Sequence, residues 1–94
     1  MAKAVFNGTV VAESDDTVMV EGNHYFPKDS VKLEYFTDTD RTSMCPWKGT
    51  ANYYSINVDG EQADNVAWYY ADPRDKAENI RDHVAFYPAV SVEA

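Results

Sequence analysis

Apolar and polar residues alternate with a period of two through most of the chain, the spacing of strands that bury one face more than the other. Residues 3–7, KAVFN, open the pattern. Asn7-Gly8 is a strong turn signal, and TVVAES continues as a second strand, so the chain is expected to begin with a hairpin. After Asp15-Asp16, Val18 and Val20 fall on one face and Thr17 and Met19 on the other; Glu21-Gly22-Asn23 turns the chain again, and HYF runs on to Pro27. Pro27 to Ser30 reads as one helical turn or a loop. VKLEYF alternates Val31, Leu33 and Tyr35 against Lys32, Glu34 and Phe36, which predicts a strand, while the polar TDTDRT after it predicts a surface loop.

Residues 42–70, TSMCPWKGTANYYSINVDGEQADNVAWYY, hold the centre of the chain. Asp59-Gly60 supplies the positive φ angles of a two-residue hairpin turn, and β-favouring residues flank it. With Val58 facing Glu61, Tyr53 opposes Val66 and Ala51 opposes Trp68. Ala51, Tyr53, Ser55, Val66, Trp68 and Tyr70 then share one face, and Tyr54, Ile56, Val58, Ala67 and Tyr69 the other; a slip of register would exchange these partners. Both faces carry large apolar or aromatic groups, where a one-sided sheet would have a polar face. The sheet is therefore expected to curl, with one side packed and the other lining a groove or a subunit contact.

One short helix is predicted near 73–82, PRDKAENIRD, with Asp72 as N-cap, Pro73 at the first helical position and an acid, Asp75, in the first turn. Ala77, Ile80 and Val84 form its apolar stripe, and it is too short to stand without docking on the sheet. HVAFYPAVSVE returns as a last strand, interrupted or edged at Pro88. Ninety-four residues make a single domain, 1–94, with room for one modest core, and no repeat, linker or low-complexity tract divides them. The fold class that results is mainly β: a compact, curled antiparallel sheet with one short helix.

Composition sharpens the reading in three ways. Tyrosine leads an aromatic content of 14%, which favours strands. A net charge of −8 argues against binding nucleic acid or an anionic membrane surface. A single cysteine excludes an intramolecular disulfide and a multi-cysteine zinc site. The opening MAKAVFNG has no apolar run of signal-peptide length, no segment approaches a membrane span, and a reduced cytoplasm is the expected compartment.

The candidate chemistry gathers on the central hairpin. Tyr53, Trp68 and Tyr70 on one face would wall an aromatic pocket for a small molecule, with Lys48 and Cys45 at its rim and Tyr25 on the opposite wall. The plainer account of these rings is core, since aromatic residues bury large areas and dominate small cores. In Cys45-Pro46-Trp47-Lys48-Gly49 the ammonium would lower the thiol pKa, and His24 and His83 are the only bases for a nucleophilic cysteine. A lone cysteine is more commonly a buried packing residue. Lys48-Gly49-Thr50 lacks the glycine-rich approach of a phosphate loop. The acids Asp15, Asp16, Asp38, Asp40, Asp72 and Asp75 sit in turn or cap contexts and match no twelve-residue calcium loop, so no metal or cofactor is expected.

The order YFP (Tyr25–Pro27), TSMCPWKGTANYY (Thr42–Tyr54), AWYYADP (Ala67–Pro73) and IRDHVAFYP (Ile80–Pro88), with the opening FNGTVVAES, resembles the bacterial family called domain of unknown function 427, sometimes labelled nucleotidyltransferase-like. The resemblance runs nearly end to end. It implies a β-tent-like barrel, a fold similar to the β-tent domains of methionine sulfoxide reductase B and of the ligand-binding region of cereblon. Several β-tent proteins hold zinc on paired cysteines, and Cys45 alone carries no such site over; nor does any motif place it at the reductase nucleophile. Asp38-Thr39-Asp40 has the acid spacing of a nucleotidyltransferase but no glycine-serine turn before it. The expectation is a small-ligand-binding module, with a Cys45-dependent enzyme and an interaction module, such as a homodimer through an aromatic sheet face, as the other readings.

Overall fold

The computed structural model describes residues 1–94 as two antiparallel sheets packed face to face. The smaller has three strands in the order β2-β1-β9: β1 is Ala2–Phe6, β2 Thr9–Ser14 and β9 Ser91–Glu93. The larger has six, β3-β4-β8-β7-β6-β5: β3 Val18–Val20, β4 Asn23–Pro27, β5 Phe36–Cys45, β6 Gly49–Val58, β7 Glu61–Tyr69 and β8 His83–Phe86. Neither sheet closes into a barrel. No helix is long and apolar enough to cross a membrane.

Three hairpin turns are made as the sequence predicts. Asn7-Gly8, Glu21-Gly22 and Asp59-Gly60 all have positive φ at both residues, which matches the turn to the right-handed twist of its strands. Their strands supply the two faces of the large sheet. Phe26, Tyr54, Ile56, Ala67, Val84 and Phe86 point toward the small sheet and, with Ala4, Val11 and others, make a core of fifteen buried residues. Tyr25, Ala51, Tyr53 and Ala85 point the other way into a second, seven-residue cluster that includes Tyr70, Ala77 and Ile80. The loading of both faces is thus real: the small sheet covers one, and the segment 75–80 covers part of the other.

The central register departs from a straight hairpin. Val58 pairs with Glu61 and Ile56 with Ala63, but Tyr54 pairs with Ala67, Tyr53 with Trp68 and Asn52 with Tyr69. Two extra residues of β7 are absorbed opposite Ser55. Asn65 there takes φ 55°, a left-handed conformation that asparagine tolerates, and its N–H donates to Ser55 Oγ at 3.2 Å. Tyr53 therefore opposes Trp68 rather than Val66, and Val66 turns into the larger core instead of sharing the Trp68 face. β5 carries a matching bulge, because its pairing with β6 jumps between Asp38↔Tyr54 and Thr42↔Asn52. Thr39 Oγ1 donates to Asn65 Oδ1 at 2.6 Å and joins the two bulges. Bulges raise local twist, and a pair flanking one strand curls the sheet there.

Three predicted elements are corrected. VKLEYF is not a strand: Val31 makes an isolated bridge to Ala12, Leu33–Tyr35 is a 3-10 turn, and β5 starts only at Phe36. The chain is crossing from the small sheet to the far edge of the large one, with Lys32 N–H held by the Val11 carbonyl on the way. TDTDRT is not a loop but the middle of β5. Its polarity belongs to an edge strand, where charges discourage pairing with other chains. The predicted helix at 73–82 is a 3-10 segment, Asp75–Ile80, non-helical at Ala77 (φ −115°, ψ 20°). Both of its ends are tied to the sheet: Arg74 N–H donates to the Lys48 carbonyl and Asp82 N–H to that of Tyr70. Between those ties, 3-10 winding eclipses residues three apart, so Ala77 and Ile80 both reach the sheet. Asp72 does not cap it, and Val84 belongs to the opposite core.

Candidate functional site

Where the segment 75–80 does not cover the sheet, the second face is open. A cleft of about 210 Å3 lies there, lined by Ser43, Lys48, Tyr53, Trp68, Tyr70 and Tyr87. β5 supplies Ser43, β6 Tyr53 and β7 Trp68; Lys48 and Tyr70 come from just beyond strand ends, and Tyr87 from the break between β8 and β9. The register fixes the centre. Tyr53 and Trp68 are direct cross-strand partners, and side chains opposite one another in a ladder are its closest pairs. Tyr87 completes the wall, with its ring 4.6 Å from that of Trp68 at a 49° tilt, and parallel to Tyr53 at 6.4 Å.

Of the six residues singled out from the sequence, Lys48, Tyr53, Trp68 and Tyr70 converge on the cleft. Tyr25 and Cys45 do not line it. Tyr25 is wholly buried behind Trp68, whose Nε1–H donates to the Tyr25 hydroxyl at 3.1 Å with the rings edge to face. Tyr25 thus fixes the indole rather than forming an opposite wall. Cys45 is half-buried against the seven-residue cluster, and no hydrogen bond joins it to a histidine. His24 Nδ1 is shared with Thr17 Oγ1 and His83 Nδ1 with the Arg81 carbonyl. Ser43, Tyr87 and Arg41 were not foreseen. Tyr87 carried the one available signal, a Tyr-Pro pair at a strand interruption.

Lys48 is held down into the protein. Its ammonium is paired with the Glu21 carboxylate on the turn between β3 and β4, and lies 5.6 Å from the centre of the Tyr70 ring and 5.4 Å from that of Trp47. Burial alone would lower its pKa, but the Glu21 bond and the neighbouring phenols outweigh burial and raise it. A lysine kept protonated in this way is a hydrogen-bond donor and a fixed charge, not an amine nucleophile. The loop bearing it is seated by Gly49, whose φ of +112° and place against the backbone of residues 72–74 leave a side chain strained.

At the other end of the cleft, Tyr53 and Ser43 share a hydrogen bond between hydroxyls at 2.8 Å. The Arg41 guanidinium, carried by the β5 bulge, stands 5.1 Å from the centre of the Tyr53 ring. Burial pushes the Tyr53 phenol up, yet its bond to Ser43, the neighbouring Tyr87 hydroxyl and the nearby Arg41 charge bring it below its ordinary value. The Tyr87 phenol shifts up, chiefly through the neighbouring Tyr53 hydroxyl. The cleft therefore presents ring faces in the middle, with a cation and hydroxyls at each end.

A second hollow of about 280 Å3 is lined by His24, Phe86, Pro88, Val90 and Val92 among others. His24 is its one ionisable side chain and is already bonded to Thr17, so it lacks the convergent polar groups of the first. No cluster of three or more His, Cys, Asp or Glu side chains is placed to hold a metal ion. The profile of the family described as Domain of unknown function (DUF427) matches residues 1–94. No curated protein matches the chain.

Proposed function

The chain belongs to the DUF427 family, and since that membership names no reaction, we propose from the cleft alone that the protein is a small-ligand-binding module. The observation that carries this reading is the convergence of Tyr53, Trp68, Tyr70 and Tyr87 with Ser43 and Lys48 around one open hollow. Aromatic walls with a few fixed polar groups are the usual make-up of small-molecule sites. At about 210 Å3 the cleft falls below the roughly 300–1,000 Å3 that suits drug-sized ligands, so its occupant is small. The indole is pre-positioned by Tyr25 and the ammonium by Glu21, which lowers the ordering cost of binding. A single free thiol and no disulfide support placing the module in the cytoplasm.

A Cys45-dependent enzyme is the weaker reading, because the thiol lies off the cleft, without a hydrogen-bonded base. The test is a fragment screen followed by amide and indole NMR. Saturable shifts should cluster at Trp68, Tyr87 and Ser43. Shifts confined to other surfaces, or none at millimolar fragment, would remove the proposal.

A further inference from the structure

We infer that the ligand is a small monocyclic aromatic carboxylate, its ring seated on Trp68 and Tyr87 and its carboxylate held by Arg41 and the Ser43 hydroxyl. This rests on the binding role proposed above and adds the chemical class.

Charge is the first argument. The chain as a whole carries −8, yet no acid lines the cleft. Two of the eight basic residues stand at its ends, Lys48 within the lining and Arg41 beside Tyr53. Lys48 is already neutralised by Glu21, whereas Arg41 makes no ion pair. A cationic ligand, the usual guest of an aromatic cage, would meet the unpaired Arg41 charge with no carboxylate lining the cleft to offset it. An anionic one would satisfy the unpaired guanidinium, whose fork matches a carboxylate with two parallel hydrogen bonds. With the Tyr53 hydroxyl donating to Ser43 Oγ, the Ser43 O–H at the same end adds one free donor.

Shape is the second argument. The Trp68 and Tyr87 rings, tilted 49° to each other at 4.6 Å, form a shallow V that offers ring faces to a flat guest. With a share of about 30 Å3 per water, about 210 Å3 holds about seven waters. That accommodates one ring with a small substituent. Lys48 has three N–H donors and gives one to Glu21, so its remaining donors are free for a polar group on the far side of the ring.

The experiment compares benzoate with benzamide, which share ring and shape and differ in charge. The readout is the Trp68 indole N–H signal in 15N NMR, assigned against a Trp47→Phe variant. Benzoate should shift it saturably and bind at least about tenfold more tightly than benzamide at low ionic strength, with the gap shrinking as salt is added. Arg41→Gln, at an exposed position, should abolish the gap by weakening benzoate far more than benzamide. Benzamide binding as well as benzoate, or a gap that survives Arg41→Gln, overturns the carboxylate assignment while the binding module stands. No saturable shift with either compound also overturns the aromatic carboxylate, and the binding module falls with it only if the fragment screen is silent at Trp68 as well.

Discussion

Removing one oxygen atom tests the geometry on which the site rests. Tyr25→Phe keeps a wholly buried ring and its edge-to-face contact with Trp68, centroids 6.2 Å apart and planes at 85°, and deletes only the acceptor of the Trp68 Nε1–H bond. A net hydrogen bond contributes about 0.5–1.5 kcal/mol, and a buried donor left without a partner costs about 1–3 kcal/mol. Trp68 is half-buried, so water recovers part of the loss, which places the expected cost near the low end, about 1 kcal/mol. For a domain of this size that is a fall in Tm of about 4–8 °C. In urea it is a midpoint shift of about 0.5–1 M at unchanged slope. The Trp68 indole proton should also move upfield and exchange faster, since it has lost its acceptor. An unchanged midpoint together with an unmoved indole signal in the folded variant would refute the claim that Tyr25 holds the floor of the cleft.

Two further outcomes follow from the same packing. Ile80→Ala empties a fully buried position where the segment 75–80 meets the sheet, and should cost about 2–5 kcal/mol by chemical denaturation; a loss below about 0.5 kcal/mol would mean that the segment only rests on the surface. The Tyr69 phenol is raised by burial first and by its 2.8 Å bond to the Asp38 carboxylate second. A raised folded pKa means that the native state holds the proton more tightly than the unfolded chain. Its contribution to stability is therefore complete below the unfolded value of about 10 and is lost as pH climbs through the folded one. A tyrosine titration should show this phenol ionising after that of Tyr53, which is shifted down, and Asp38→Asn should bring it earlier; no change in that variant would contradict the bond.

The sequence by itself determined the local decisions. Asn7-Gly8 and Asp59-Gly60 each dictate a turn because few other residues accept consecutive positive φ angles, Gly22 marks the turn after Glu21, and the period-two patterns beside these turns give the hairpin strands, though not at VKLEYF. It also showed that Lys48, Tyr53, Trp68 and Tyr70 lie near one hairpin face, because parity along a strand survives a shift of two residues. Tertiary structure decided what parity cannot express. The bulge at Asn65 chose Trp68 as the partner of Tyr53 and sent Val66 to the other core. The bulge in β5 aimed Arg41 at Tyr53, and ties from Lys48 and Tyr70 flattened a helix-like stretch into a 3-10 strap. TDTDRT reads as a loop because an edge strand needs no apolar face, and Tyr87 reaches the cleft only because β8 and β9 belong to different sheets. Turn and strand preferences act over a few neighbouring residues, whereas partner choice, bulge position and strap conformation depend on which distant backbone groups must be hydrogen-bonded and covered once the sheets have met.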